Sequence, residues 1–333
     1  MNHHQLTNLC NVFALGTPLN TPKRVHGGLL HLMWRLNTDE ASYAVKQLSS
    51  HIDLANEAII KNYDLTEEIA SRFFDLGIPS VSAIKQAGNY LTLVDSTGFL
   101  IYPWVDAQPR HHDTVSERQA LKIAEILAKM HLINLDVPEI AEPVFDVHSN
   151  DSLLTLIQKA NSCSCPFVAT LTELQNDITA INTAYQNTIS LLKQQVVVSH
   201  GDLDPKNVLW DDNDNPILID WECARKLNPM HEIVNAGLDW SGITTTNFNQ
   251  ALFIKMMRAY TTAGGSLDKD LLQAVFNGVL GNWINWMVYN IERACMEQEC
   301  EQKTLGIEQV NQVLKTITTL INIIPSLMTS ITE

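Results

Sequence analysis

The chain has 333 residues, a formal net charge of −15, and 45% hydrophobic against 18% charged residues. At about 150 residues per domain this leaves room for two domains or lobes with a sizeable core, and it excludes a disordered or fibrous chain. The acidic surplus disfavours nucleic acid, whose phosphates would be repelled, and is compatible with a cationic small molecule.

The start, Met1-Asn2-His3-His4, lacks the basic residues and apolar run of a secretory leader. Residues 29–36 predict a strand, 37–40 a turn and 42–48 a second strand, together a hairpin. A helix is predicted over 65–76, closed by Gly77 and Pro79. Two more strands, 90–94 and 99–104, flank the turn 95–98. After Pro109 the texture turns helical: 116–134, 151–160 and 170–195. A short strand at 196–199 leads into a loop, and a second hairpin pairs 208–210 with 217–219. Helices dominate from about 230 onward.

The apolar residues between 310 and 331 recur at helical spacing on one face, with Pro325 as an expected break. This predicts a buried helix rather than a membrane span, which needs about 20 nearly continuous apolar residues. The six cysteines, Cys10, Cys163, Cys165, Cys223, Cys295 and Cys300, show no paired CxxC spacing. No zinc site is therefore expected, and a reducing cytoplasm is the expected compartment.

One stretch carries chemistry: Ser199-His200-Gly201-Asp202-Leu203-Asp204-Pro205-Lys206-Asn207-Val208-Leu209-Trp210, followed by Ile217-Leu218-Ile219-Asp220-Trp221-Glu222. Asp202 and Asn207 are five residues apart, and Asp220 lies thirteen further on, across a hairpin. This spacing matches a kinase catalytic loop with its two metal ligands. Phosphoryl transfer needs oxygen ligands that hold Mg²⁺ against phosphates, and a separate carboxylate that orients the attacking hydroxyl.

On these residues the sequence resembles the aminoglycoside phosphotransferase / choline kinase-like family. The resemblance extends to Lys122–His131, which is similar to the family's Leu-Ala-x-x-His helix. It also includes Pro229-Met230-His231-Glu232-Ile233, where the family more often has Asp at the Glu232 position, and a late helix with Trp283, Trp286, Asn290 and Arg293. It implies an α+β, two-lobed protein-kinase-like fold: a small β-rich nucleotide-binding lobe over 1–105 and a larger, mainly helical catalytic and acceptor-binding lobe over 106–333. Asp202 would be the base, and Asn207 and Asp220 would hold Mg²⁺. Lys46 would hold the α/β-phosphates, with Glu68 as its helix partner and Glu67 and Glu57 as rivals. Gly27 and Gly28 would form the phosphate-covering turn. Pro103 and Trp104 would belong to the adenine hinge, read through the backbone. Lys206 would either touch the γ-phosphate or lie on the surface.

The resemblance further implies ATP or GTP as co-substrate and a small-molecule hydroxyl acceptor, with neither nucleic acid nor membrane as partner. The first expectation is an aminoglycoside or related amino sugar. The second is choline, ethanolamine, homoserine or a methylthioribose-like sugar. A catalytically silent nucleotide-binding relative is a third. His200 and His131 are read as structural. Trp221, Trp240, Trp283, Trp286 and Tyr289 are read as core in preference to a wall for a cation. Glu232, Asp239, Glu292, Glu297, Glu299 and Glu301 are the carboxylates that could meet acceptor ammonium groups.

Overall fold

The computed structural model describes residues 1–25, 30–110, 114–245, 247–296 and 300–332. In chain order, helix α1 (His3–Val12) precedes strands β1 (Lys23–Val25), β2 (Leu32–Asn37) and β3 (Ser42–Gln47). Helix α2 (Glu57–Asp75) follows, then β4 (Thr92–Val94), β5 (Thr97–Pro103) and β6 (Gln108–Pro109). Next come α3 (Glu117–Ile133), α4 (Asn150–Ser162), α5 (Val168–Glu173) and α6 (Gln175–Leu192). Strands β7 (Val197–Ser199), β8 (Val208–Trp210), β9 (Pro216–Leu218) and β10 (Arg225–Leu227) lead to α7 (Pro229–Trp240), α8 (Gln250–Thr262), α9 (Leu272–Met296) and α10 (Cys300–Thr332). The fold class is α+β, with an antiparallel sheet near the N-terminus and a mostly helical remainder.

The chain divides into two compact units, and the division differs from the expected single cut near residue 105. One unit holds residues 1–111, 136–140 and 200–225; the other holds 112–135, 141–199 and 226–333. The physical reason is that β9 bonds back to the segment after α2. Leu218 N–H donates to Pro79 O at 2.7 Å, and Val81 N–H donates to Leu218 O at 3.0 Å. Trp221 then stacks on Phe73 of α2 at 5.5 Å.

In the first unit the sheet runs β1-β2-β3-β5-β4, all antiparallel. Alternation along β5 sends Phe99 and Ile101 into a core with Leu9 of α1 and Phe13 just after it, while Leu100 packs on the other face with Tyr63 of α2. The β4–β5 turn is tight because Asp95 and Ser96 both take positive φ, +50° and +60°, the combination a two-residue hairpin turn requires. Helix α2 begins eight residues earlier than its apolar pattern suggested. The Asn56 side chain accepts the Ala58 N–H and supplies a start signal. Its end falls as expected: Gly77 takes φ +79°.

The second unit is helical. Helix α3 opens on a capping box between Ser116 and Gln119 and closes on Asn134 in the left-handed region. Its core joins Ile284, Met287 and Ile291 of α9 to Val310, Val313, Leu314 and Ile317 of α10. Gly306 lets the two helices approach closely, since a Cβ there would lie 2.7 Å from Ala294 N. By length and composition α10 could cross a membrane, yet its apolar stripe, including Leu320 and Leu327, is buried inside the unit. Pro325 does not break it, contrary to expectation. The missing N–H forfeits one backbone bond, and buried Leu320, Ile324 and Leu327 hold the turns on both sides.

Candidate active site

Hydrogen bonds and close packing join the loop from His200 to Asn207 to the segment 219–223. Gly201 takes φ +78°, and any Cβ there would strike the Cys223 carbonyl oxygen at 2.3 Å. Only glycine therefore satisfies both the backbone conformation and the close approach. His200 is fully buried. Its Nδ1 accepts the Asp202 N–H at 3.3 Å, so Nε2 carries the proton and donates to Ile219 O at 3.0 Å. Its ring also lies against Trp221 at 4.6 Å. Packing and hydrogen bonding are thus the geometry His200 shows.

Asn207 donates from Nδ2 to the Asp202 backbone O at 2.8 Å and to Asp202 Oδ2 at 2.9 Å. Its own carbonyl accepts the Ile219 N–H at 3.0 Å. Asp220, the next residue, sits in the left-handed region at φ +64°, ψ +60°, where Asp is among the few side chains tolerated. Asp202 keeps a half-exposed carboxylate, with Lys206 Nζ at 3.6 Å from its Oδ2 and 3.5 Å from Asp204 Oδ2.

Lys46 of β3 reaches this loop. It is 6% exposed, and its Nζ lies 2.6 Å from Asp220 Oδ1 and 2.7 Å from Glu222 Oε2. Burial disfavours its charge, but the two carboxylates outweigh burial and hold its pKa above the ordinary lysine range. Glu222 also meets His31 Nε2 at 3.1 Å, while His31 Nδ1 accepts the Ser49 N–H at 3.1 Å. Burial would raise the Glu222 pKa; the His31 bond and the Lys46 charge bring it down to about 2. The sequence reading missed Glu222 and His31. The signal for Glu222 was its place two residues after Asp220; His31, inside a predicted strand, offered none.

Glu68 is not where the expectation put it. It bonds Lys85 Nζ at 2.7 Å and the Tyr90 hydroxyl at 3.0 Å, and the Lys85 bond lowers its pKa. Its neighbour Glu67, named as a rival, faces inward and is 3% exposed. Glu67 accepts the Tyr102 hydroxyl at 2.5 Å and the Ala83 N–H at 2.6 Å. Burial lifts its pKa to about 7 against those bonds and the nearby Lys46 charge. The carboxylates bonded to Lys46 are Asp220 and Glu222, and helix phase explains why Glu67, and not Glu68, faces inward. One residue step on α2 turns a side chain by about 100°, from the core to the surface.

Pro103 closes β5, paired with Tyr43. The Trp104 N–H donates to Ser42 O at 3.1 Å, and Arg35 covers the Trp104 ring at 4.3 Å. Gly27 and Gly28 lie outside the described residues, as do Glu297 and Glu299.

Among the acceptor candidates, Glu232 is buried and bonds His131 Nε2 at 2.7 Å, while His131 Nδ1 meets the Tyr260 hydroxyl at 2.8 Å. Asp239 accepts from Asn235 at 3.0 Å. Glu292 and Glu301 are exposed. Trp221 and Trp240 are core, and Trp283 and Trp286 pack against the helical core. Tyr289, read as core, is instead exposed: it stacks on Trp286 at 5.3 Å at the surface, with Arg293 over its ring. The core reading of the tryptophans is what the packing shows.

The donor set fits a magnesium ion. Asn207 commits its Nδ2 to Asp202, which leaves its amide oxygen as a neutral hard ligand. Asp220 has one oxygen on Lys46 and a second carboxylate oxygen beside it. Mg²⁺ takes one or two protein oxygens and completes its octahedron with phosphates and water. Among the described residues, no group of three or more His, Cys, Asp or Glu is placed to hold an ion by itself.

A family model described as "Phosphotransferase enzyme family" matches residues 21–261. Among solved structures, a spectinomycin phosphotransferase bound to ADP and spectinomycin superposes with a TM-score of 0.71 at 12% identity, covering 96% of this chain and 99% of that one. The ethanolamine kinase of Plasmodium vivax gives 0.60 at 14% identity, with 92% and 83% covered. Choline kinase LicA from Streptococcus pneumoniae gives 0.60 at 16% identity, with 96% and 100% covered. No curated protein matches the chain.

Proposed function

Because the chain belongs to the phosphotransferase enzyme family, we propose that it transfers the γ-phosphoryl group of ATP or GTP to a hydroxyl of an aminoglycoside or related amino sugar. The observation that carries the transfer chemistry is the meeting, inside one compact unit, of Asp202, Asn207, Asp220 and Lys46.

In this reading Lys46 holds the α- and β-phosphates. An ammonium has three N–H donors; two go to Asp220 and Glu222, and a phosphate oxygen takes the third. Asn207 and Asp220 hold Mg²⁺, which when bound supplies positive charge against the phosphate oxygens. Asp202 orients the acceptor hydroxyl in line with the γ-phosphorus and accepts its proton late, because the transition state is loose. Lys206, beside Asp202, is within reach of a γ-phosphate. At the hinge, the Trp104 N–H is turned toward β3, so strand alternation offers the Pro103 carbonyl and the Val105 N–H to the adenine.

The acceptor is the finer question. A quaternary amine such as choline needs an aromatic cage; of the residues singled out for one, Trp221 and Trp240 are buried in the core, Trp283 and Trp286 pack partly buried against it, and exposed Tyr289 is stacked flat on Trp286. This favours an amino sugar or plain alcohol over choline. The structural likeness to ethanolamine and choline kinases keeps a metabolic alcohol as the second reading.

The test is a coupled nucleotide-consumption assay with Mg·ATP and Mg·GTP against aminoglycosides, amino sugars, ethanolamine, choline and homoserine. Turnover with an amino sugar, abolished in Asp202→Ala, supports the first reading. Turnover with ethanolamine or choline alone replaces it by the second. Nucleotide binding with no turnover on any acceptor supports the silent relative.

A further inference from the structure

Two cysteines far apart in sequence meet in the helical unit, and a third lies close to one of them along the chain. Cys165, in the turn between α4 and α5, has its Sγ 3.8 Å from Cys295 Sγ in the last turn of α9. Cys163 stands two residues before Cys165 on the same segment. Ser164, between the two, takes φ +54°, the left-handed conformation that turns the chain there. Their accessibility is graded. Cys163 is exposed, Cys295 is partly buried and Cys165 is buried. The spacing Cys-Ser-Cys suggests nothing on its own; Cys295, 130 residues away from Cys165, gives it meaning.

We propose that Cys163, Cys165 and Cys295 form a redox modification site, in which a disulfide between Cys165 and Cys295 is made and broken by exchange entered through Cys163. A bond of about 2.05 Å requires the two sulfurs to close from 3.8 Å, a movement that side-chain rotation can begin without unfolding the helices.

The co-reactant is a low-molecular-weight disulfide such as glutathione disulfide. The Cys163 thiolate attacks one of its sulfurs, the S–S bond breaks, and one glutathione thiolate leaves. Cys295, giving its proton to solvent, attacks the Cys163 sulfur and expels the second glutathione. Cys165 then attacks the Cys295 sulfur and returns Cys163 as a thiol. The sum is two protein thiols and one glutathione disulfide going to one protein disulfide and two glutathiones. Burial, then the neighbouring thiols, push the Cys295 pKa up to about 12. Its thiolate is therefore scarce at neutral pH, and the second step is the slow one.

The test uses the full chain incubated with glutathione disulfide, quenched by alkylation, digested and read by mass spectrometry. The expected result is a peptide cross-linked between Cys165 and Cys295, reversed by reduced glutathione. It should disappear in Cys295→Ser and form at least tenfold more slowly in Cys163→Ser, while Cys300→Ser leaves it unchanged. Complete alkylation of Cys165 and Cys295 after oxidation would overturn the proposal. So would a cross-link made only between molecules, or one that forms equally fast without Cys163. Far-ultraviolet circular dichroism of each variant separates a lost thiol from a lost fold.

Discussion

Asp202 is held from behind and open in front. Its backbone and one carboxylate oxygen take both Asn207 Nδ2 hydrogens, while its carboxylate stays half-exposed. Asp202→Ala should therefore lower kcat by roughly 10²–10⁴ and leave the nucleotide Kd within a few-fold. A near-normal kcat in steady-state assays would exclude it as the base. Glu67 makes a different prediction. An acid whose folded pKa, about 7, lies above its usual 4.5 binds its proton more tightly in the native state. Stability from this group is therefore full below about pH 4.5 and is lost as pH rises to about 7, by roughly 3 kcal/mol. Glu67→Gln keeps one acceptor oxygen for the Ala83 N–H and can donate from its amide to the Tyr102 hydroxyl oxygen, so it should be more stable than the parent at pH 8 and about equal at pH 4.5 in urea unfolding. A variant less stable at pH 8 would contradict this. Glu222 has the opposite sign: its depressed pKa contributes stability that is present above about pH 4.5 and lost toward pH 2.

At the scale of elements, what was legible in the sequence was what is local. The spacing of Asp202, Asn207 and Asp220 was readable because one loop and one hairpin set it. The turn at Asp95–Ser96 and the stop at Gly77 were readable because each needs a particular backbone conformation. The partners of Lys46 were not readable. They are Asp220 and Glu222, 174 and 176 residues further along the chain, and only the tertiary fold brings them to β3; which of Glu67 and Glu68 faces inward likewise depends on the rotational phase of α2, which the buried Ile69, Ala70 and Phe73 decide only once the helix packs. Pro325 misled for a similar reason, since packing along α10 outweighs one lost backbone bond. The α9–α10 contact gives a direct test. Gly306→Val would drive a side chain into the Ala294 backbone and should cost about 1–3 kcal/mol of stability, read from the urea midpoint. An unchanged midpoint would mean that the helices can separate freely.

At the scale of the whole molecule, the residues proposed to handle phosphate all belong to one unit, but that unit is discontinuous. Lys46 comes from its first segment, and Asp202, Asn207, Asp220 and Glu222 from its last. A fragment of residues 1–111 contains the five-stranded sheet and the hinge strand but lacks every carboxylate bonded to Lys46. It should show no calorimetric binding of Mg·ATP at concentrations that saturate the full chain; near-normal affinity would contradict the placement of the metal residues. The same interleaving sets a timetable during synthesis. A ribosome adding about 5–20 residues per second reaches residue 225 on the order of ten seconds after residue 111. Through that interval Pro79 O has no Leu218 N–H to accept, Phe73 has no Trp221 to stack on, and Lys46 has neither of its carboxylates. The nascent sheet must wait, partly uncovered, for a late segment to complete it, which makes the first third of the chain the part most in need of a chaperone.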